Sequence, residues 1–239
     1  MTTIILDGFS GHLFHDLEFY IIAFGKQINF KGTSPKFLND TNKFLVKKLF
    51  DSDIELVTET SDVIDRSLLD HCKINKAFAK YIESFNYQKW SATWSYLEKK
   101  AKNNLLYVTR QNTSRKLSDE SPRYVESLVQ AVGGMVCDAG SLSIEKQIEL
   151  FRNSHSVIGV HGNNLSGIMW MAPGSHVFEI LPFDQKCHVY DYHCMSLCMR
   201  HNYTQLDCEE SPWSLSSRTR TLLESTLHLI ASIRTCPEM

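Results

Sequence analysis

The sequence has little that would tie it to a membrane, a nucleic acid or a structural metal. No stretch approaches the ~20 consecutive apolar residues of a transmembrane helix. The opening MTTIILDGFSGH lacks a basic start and a long apolar centre, so it does not read as a leader peptide. Taken literally, the chain is expected to be soluble and cytoplasmic, unless it is the catalytic part of a longer protein. Charge of one sign is also missing: 25 Lys and Arg against 27 Asp and Glu leave a net −2. Basic residues occur in short pairs such as Lys47-Lys48 and Lys99-Lys100, so nothing favours nucleic acid as a partner. Seven cysteines are present without a CxxC pair. Cys187, Cys194, Cys198 and Cys208 lie near His188, His193 and His201, but without the spacing of a zinc knuckle. Packing as buried thiols is expected before zinc or a disulfide. No GxGxxG turn follows a strand, which counts against a dinucleotide-dependent oxidoreductase. Internal repeats and low-complexity tracts are lacking as well.

What is present suffices for one medium globular unit or two small lobes: 239 residues, 43% hydrophobic and 22% charged. Residues 1–102 are expected to form a short, helix-rich lobe. A helix is expected over Gly11–Gln27, with Leu13, Leu17, Tyr20, Ile21 and Phe24 at helical spacing. A second is expected over Lys36–Phe50, capped by Ser34 with Pro35 in its first turn. A short strand, Ile54–Val57, follows. Asp51-Ser52-Asp53 has the form of a DxD metal-nucleotide signature, but it sits between a helix end and a strand start and reads as a turn. Asp62–Lys102 reads as mostly helical, with Phe78, Tyr81, Phe85, Trp90, Trp94 and Tyr96 as core aromatics or, less simply, an acceptor-binding stripe.

From Asn103 the pattern alternates between strand and helix: Leu105–Thr109, Pro122–Val132, Gly134–Cys137, Ser143–Arg152, Ser156–Val160, Leu165–Ala172, Val177–Leu181, His188–Met199, Tyr203–Leu206 and Leu215–Ile233. Such alternation predicts a parallel sheet with helices on both faces over residues 103–239. Within it, the strand-to-helix turn His161-Gly162-Asn163-Asn164-Leu165 can present backbone N–H groups to an anion. The loop Arg110–Arg115 follows the first strand and opens at the same sheet edge, where arginine is a bidentate phosphate donor. Two anion-binding features on one edge point to a phosphate-bearing ligand. Glu179, a carboxylate in an apolar strand, is expected at an exposed strand end or in a pair, and its functional reading is an acceptor for a ribose or sugar hydroxyl. In the first lobe, His15, Asp16 and Glu18 crowd a helix start, where they are either helix-capping groups or candidates for a general base.

Three segments, GHLFHDLEFY, YVTRQNTSRKLSDE and DAGSLSIEKQIELFRNSHSVIGVHGNNLSGIMWMAPGSHVFEILP, together resemble glycosyltransferase family 61, in the family's order and over most of the chain. The resemblance implies an α/β, GT-B-like fold of two Rossmann-like lobes. It implies inversion at the anomeric carbon, transfer from a nucleotide sugar (a UDP-sugar first) to a glycan or glycoprotein hydroxyl, and no metal or other cofactor. A metal-free site would hold the diphosphate with Arg110, Arg115 and the 161–165 turn, and would use Asp16 or His15 as base, with Glu18 third. The family's HGAGLTN is HGNNLSG here, so Asn164 replaces a glycine and Ser166 a threonine. That change admits a second reading, a catalytically degenerate relative that binds nucleotide or glycan. The resemblance also implies the secretory-pathway lumen, while the sequons at Asn39, Asn112, Asn164 and Asn202 bear on that only weakly, two of them falling in site loops.

Overall fold

The computed structural model describes residues 2–6, 28–32, 39–51, 53–56, 87–94, 104–110, 116–118, 120–182, 191–209 and 213–235. The chain divides into two compact units, Met1–Tyr96 and Leu97–Met239.

In the first unit, β1 (Thr2–Leu6), β2 (Ile28–Gly32) and β3 (Ile54–Leu56) form a parallel sheet in that order. Strands β1 and β2 were not expected from the sequence; they are five residues each and carry no long apolar signal. Helix α1 (Asp40–Phe50) is capped by Asn39, whose Oδ1 accepts from the Asn42 amide at 2.8 Å. The cap expected at Ser34, before Pro35, lies outside the described residues. Asp51 ends α1 in the left-handed conformation, at φ 50°, and its carboxylate pairs with Lys47 one turn back at 3.1 Å. The DxD segment thus begins as a helix stop, as its position between helix and strand suggested. Helix α2 (Tyr87–Thr93) buries Trp90, which meets the buried Trp94 edge to face at 6.0 Å, the arrangement that aromatic quadrupoles favour.

The second unit is built on a six-stranded sheet of order β5-β4-β6-β7-β8-β9: β4 (Asn104–Val108), β5 (Met135–Cys137), β6 (Ser154–Val160), β7 (His176–Pro182), β8 (Asn202–Glu209) and β9 (Ser214–Leu215). Every pairing is parallel except that of β9 with β8. Parallel strands are covered on both faces, so their central residues read as unbroken apolar runs. Val157, Ile158 and Val160 are buried in β6, as are Val177, Ile180 and Leu181 in β7.

One face carries α3 (Ser121–Ala131) and α6 (Ser217–Thr235). Its core joins Leu105, Tyr107, Ile158, Val160, Ile180 and Leu206 to Val125 and Val129 of α3 and Leu223 and Leu227 of α6. Pro122 stands in the first turn of α3, where its missing N–H costs nothing. The other face carries α4 (Ile144–Arg152), a 3-10 helix (Asn163–Trp170) and α5 (Asp191–Cys198). The stretch expected to be α-helical over Leu165–Ala172 winds more tightly, as a 3-10 segment. Gly159 sets how closely this layer approaches the sheet, since a Cβ there would run into Leu165, and Gly167 sets how closely the 3-10 helix meets α4, since a Cβ there would overlap the Phe151 ring.

The chain enters the sheet at β4, moves outward to β5, then crosses back to β6 and continues to β7 and β8. The direction of winding therefore reverses between β4 and β6. At such a switch point the loops leaving adjacent strands diverge and open a crevice at the carboxyl ends. The segments after β4 and β6 begin with Thr109-Arg110 and His161-Gly162.

Cys198 of α5 is a buried free thiol, pushed up to about 12 by desolvation. His201, included in the zinc question, is a tie within the fold: Nε2–H donates to Ile168 O at 2.9 Å, joining the end of α5 to the 3-10 helix. Among the described residues, no group of three or more His, Cys, Asp or Glu is placed to hold a metal ion, and no helix is long and apolar enough to cross a membrane.

Burial pushes the His201 imidazole down to about 4. The unfolded chain, with an ordinary value near ~6.5 for histidine, takes up that proton first as pH falls. Stability tied to His201 is present above pH ~6.5 and is lost toward pH ~4, by about 3 kcal/mol at most. Thermal unfolding followed between pH 7 and 4.5 should show Tm falling over this window. His201→Gln should lower Tm at pH 7 and flatten the fall.

Candidate functional site

At the switch point the ends of β4 and β6 are bridged by one arginine, seated on one glycine. Arg110 leaves β4 and its Nη1–H donates to the carbonyl oxygen of His161, across the switch point. Gly162 sits directly beneath that guanidinium with φ 140°. A Cβ at this position would coincide with Arg110 Nη1, and few L-residues adopt this backbone conformation. The sequence places Gly162 in the strand-to-helix turn; its contact with Arg110 is a tertiary fact. The two anion-binding features, separated by 51 positions in sequence, form one structure.

Beside Arg110, on the α3 side of the sheet, lies a cavity of about 390 Å³. Its walls combine the apolar Tyr107, Leu117 and Val160 with two cations, Arg110 and Lys116, and one carboxylate, Glu126. Lys116 was not picked out from the sequence, although it follows Arg115 directly and adds a second cation to the Arg110 side of the crevice. Arg115 itself lies outside the described residues, as do His15, Asp16, Glu18 and the sequon Asn112.

The Asn164 side chain is folded inward. Its Nδ2 donates to Thr109 O at 2.8 Å and to Asp138 Oδ1 at 3.2 Å. One carboxamide therefore ties together the segments that follow β4, β5 and β6. A sequon asparagine whose amide nitrogen is engaged in this way, with a buried Ser166 two residues on, is not presented for glycan attachment. Asn163 accepts from Ser166 Oγ at 3.3 Å. Two amides of the turn serve the fold: His161 N–H donates to Ile180 O and Leu165 N–H to Gly162 O, each at 2.9 Å. Leu165 itself is fully buried against Gly159.

Beneath the turn is a buried polar chain. His161 Nδ1–H donates to Glu179 Oε1 at 2.5 Å, and the Tyr203 hydroxyl donates to Glu179 Oε2, also at 2.5 Å. Glu179 has no exposed surface and His161 is 3% exposed. The ribose role expected for Glu179 needs a carboxylate at the crevice. Side chains alternate along β7, so Glu179 points away from the face that carries Ile180 and Val160, and its oxygens meet protein donors instead. The paired alternative in the sequence reading is the one realised. Tyr192 completes the set: its hydroxyl donates to Gly162 O at 2.6 Å, and its ring meets the His161 ring edge to face at 5.5 Å. Burial, and then the nearby Glu179 charge, raise the hydroxyls of Tyr192 and Tyr203 far above the usual phenol range, so both remain donors at physiological pH. Neither tyrosine carries a local signal in sequence: Tyr192 stands between Asp191 and His193, and Tyr203 between Asn202 and Thr204.

Gly162→Ala is expected to displace Arg110 and to strain the turn. Positive-φ strain alone costs about 1–3 kcal/mol, and thermal unfolding should register at least that loss. Asn164→Ala should cost about 1 kcal/mol, by leaving Thr109 O and Asp138 without this donor.

No curated protein matches the chain in a sequence comparison. The family model described as Glycosyltransferase 61 matches residues 11–178, well over half of the chain. The matched region includes Arg110 and the His161–Asn164 turn and stops one residue short of Glu179. With the crevice, the arginine and the turn in place, the chain belongs to glycosyltransferase family 61 and is a glycosyltransferase.

Proposed function

We propose that the chain is an inverting transferase that moves a sugar from a UDP-sugar to a glycan or protein hydroxyl without a metal ion. The observation that carries this reading is Arg110 seated on the His161–Gly162 peptide at the sheet's switch point, next to a cavity of about 390 Å³. Open α/β sheets bind ligands at this position, and a diphosphate needs cations and N–H donors there.

In this reading, Arg110 and Lys116 take the negative charge of the diphosphate, with Arg115 on the same loop. The amides of Gly162 and Asn164 supply shorter-range donors. The acceptor hydroxyl attacks the anomeric carbon from the face opposite the leaving diphosphate, which inverts that centre. A base removes the hydroxyl proton as the new glycosidic bond forms, and Asp16 or His15 is assigned to that step, with Glu18 third. The bond from the anomeric carbon to the donor phosphate oxygen breaks, and its electron pair leaves with UDP. Positive groups are worth most here because charge on the leaving oxygen grows toward the transition state. The reading keeps the GT-B-like pairing of Rossmann-like lobes that the resemblance implies.

The test is transfer or hydrolysis across a panel of UDP-sugars, with chelator present, and with the anomeric configuration of the product read by NMR. Arg110→Ala should lower kcat/KM by about 100-fold, the scale for removing a donor on developing charge. Turnover undiminished in that variant would remove the phosphate assignment, and turnover lost on chelation would remove the metal-free one.

A further inference from the structure

A carboxylate with no exposed surface, in the middle strand pairings of a parallel sheet, needs a reason. Taking a carboxylate out of water is costly, and pairing it offsets that cost without making the pair a strong source of stability. Glu179 is paired with His161 at 2.5 Å and held on its other oxygen by Tyr203 at 2.5 Å. His161 contributes its side chain to this pair and its carbonyl to Arg110. One residue therefore joins the buried carboxylate to the cation that faces the cavity. The Tyr203 ring is itself stacked on His193 of α5, with centroids 5.0 Å apart and planes 18° apart, so its hydroxyl is fixed in direction.

The geometry points to Glu179 and Tyr203 as positioning residues of the donor site. They hold the His161 ring in one tautomer and one orientation, and thereby hold the His161–Gly162 peptide that seats Arg110. Neither residue touches the donor. This rests on the reading of that turn as the diphosphate site. It assigns the family's transfer chemistry two residues that lie beyond the matched region and do not line the cavity.

An imidazole whose Nδ1–H is committed to a carboxylate has its second nitrogen and its ring plane set by that bond. Tyr203 fixes the carboxylate in turn, so rotation of Glu179 is opposed from both oxygens. Tyr192 holds Gly162 O from the same buried layer. Loosening the chain at Tyr203 leaves the strands paired but lets the turn sample other positions under Arg110.

The experiment uses the full chain with UDP as probe, measured by calorimetry, beside thermal unfolding and NMR of the His161 ring nitrogens. Tyr203→Phe removes one donor and keeps the ring stack. Glu179→Gln keeps the shape and removes the charge. UDP affinity should weaken about five-fold in Tyr203→Phe, the scale of one lost hydrogen bond, and about ten-fold in Glu179→Gln. The His161 nitrogens should report a single Nδ1–H tautomer in the wild type and a mixture in Glu179→Gln. His201→Gln is the comparison: it should lower Tm and leave UDP affinity unchanged. Unaltered affinity in both test variants, or an equal loss of affinity in His201→Gln, overturns the assignment while the donor reading stands. A wild-type chain that does not bind UDP overturns the donor reading and the assignment with it. If Glu179→Gln does not fold, Tyr203→Phe decides.

Discussion

The bond between Arg110 and the carbonyl of His161 is the interaction on which the site depends. It needs a strand-end arginine on β4, a glycine after β6 and a sheet that places those two strands side by side. A larger residue at 162 would occupy the space of the guanidinium. Without the reversal of winding between β4 and β6, the two loops would turn the same way and close the crevice. A local choice of residue and a global choice of topology are both required, and neither suffices alone.

The layer beneath the turn explains how such a bond is kept in register. Gly159 admits Leu165 and so brings the 3-10 helix onto the sheet, and Gly167 lets that helix pack against Phe151 of α4. Beneath the turn lie the buried Glu179, His161 and Tyr192 and the half-buried Tyr203, each hydrogen-bonded. Buried polar groups are costly to leave unsatisfied, so a satisfied network permits few arrangements. Asn164 works in the same sense at the rim, where one carboxamide spans the segments after β4, β5 and β6. A glycine at this position could not make these bonds.

Much of the second unit was legible in the sequence. Alternating apolar runs and helical spacings located β4 to β8 and α3, α4 and α6 to within a few residues of their observed ends, because parallel strands and their covering helices announce themselves by burial on both faces. Arg110 and the turn at 161–165 were legible because strand-to-helix turns at the carboxyl edge are where anions bind. Less was legible in the first unit, where β1 (TTIIL) has only three consecutive apolar residues and β2 (INFKG) has two that are not adjacent. The inward fold of Asn164 was not legible either, since a side chain's partners 26 and 55 positions away leave no local trace. Tyr192 and Tyr203 were unreadable for the same reason.

The sequence by itself determined the class of fold over residues 103–239, the family, and the two segments that meet at the crevice. Those follow from short-range periodicity and from motifs whose residues lie close together in the chain. Only the tertiary structure decided that Arg110 rests on Gly162, that Asn164 ties three segments together, and that Glu179 faces inward to His161 and Tyr203. The physical reason is that a buried carboxylate and an exposed one can occupy the same place in an apolar strand. What separates them is which donors the neighbouring elements bring within about 3 Å, a matter of packing between residues distant in sequence.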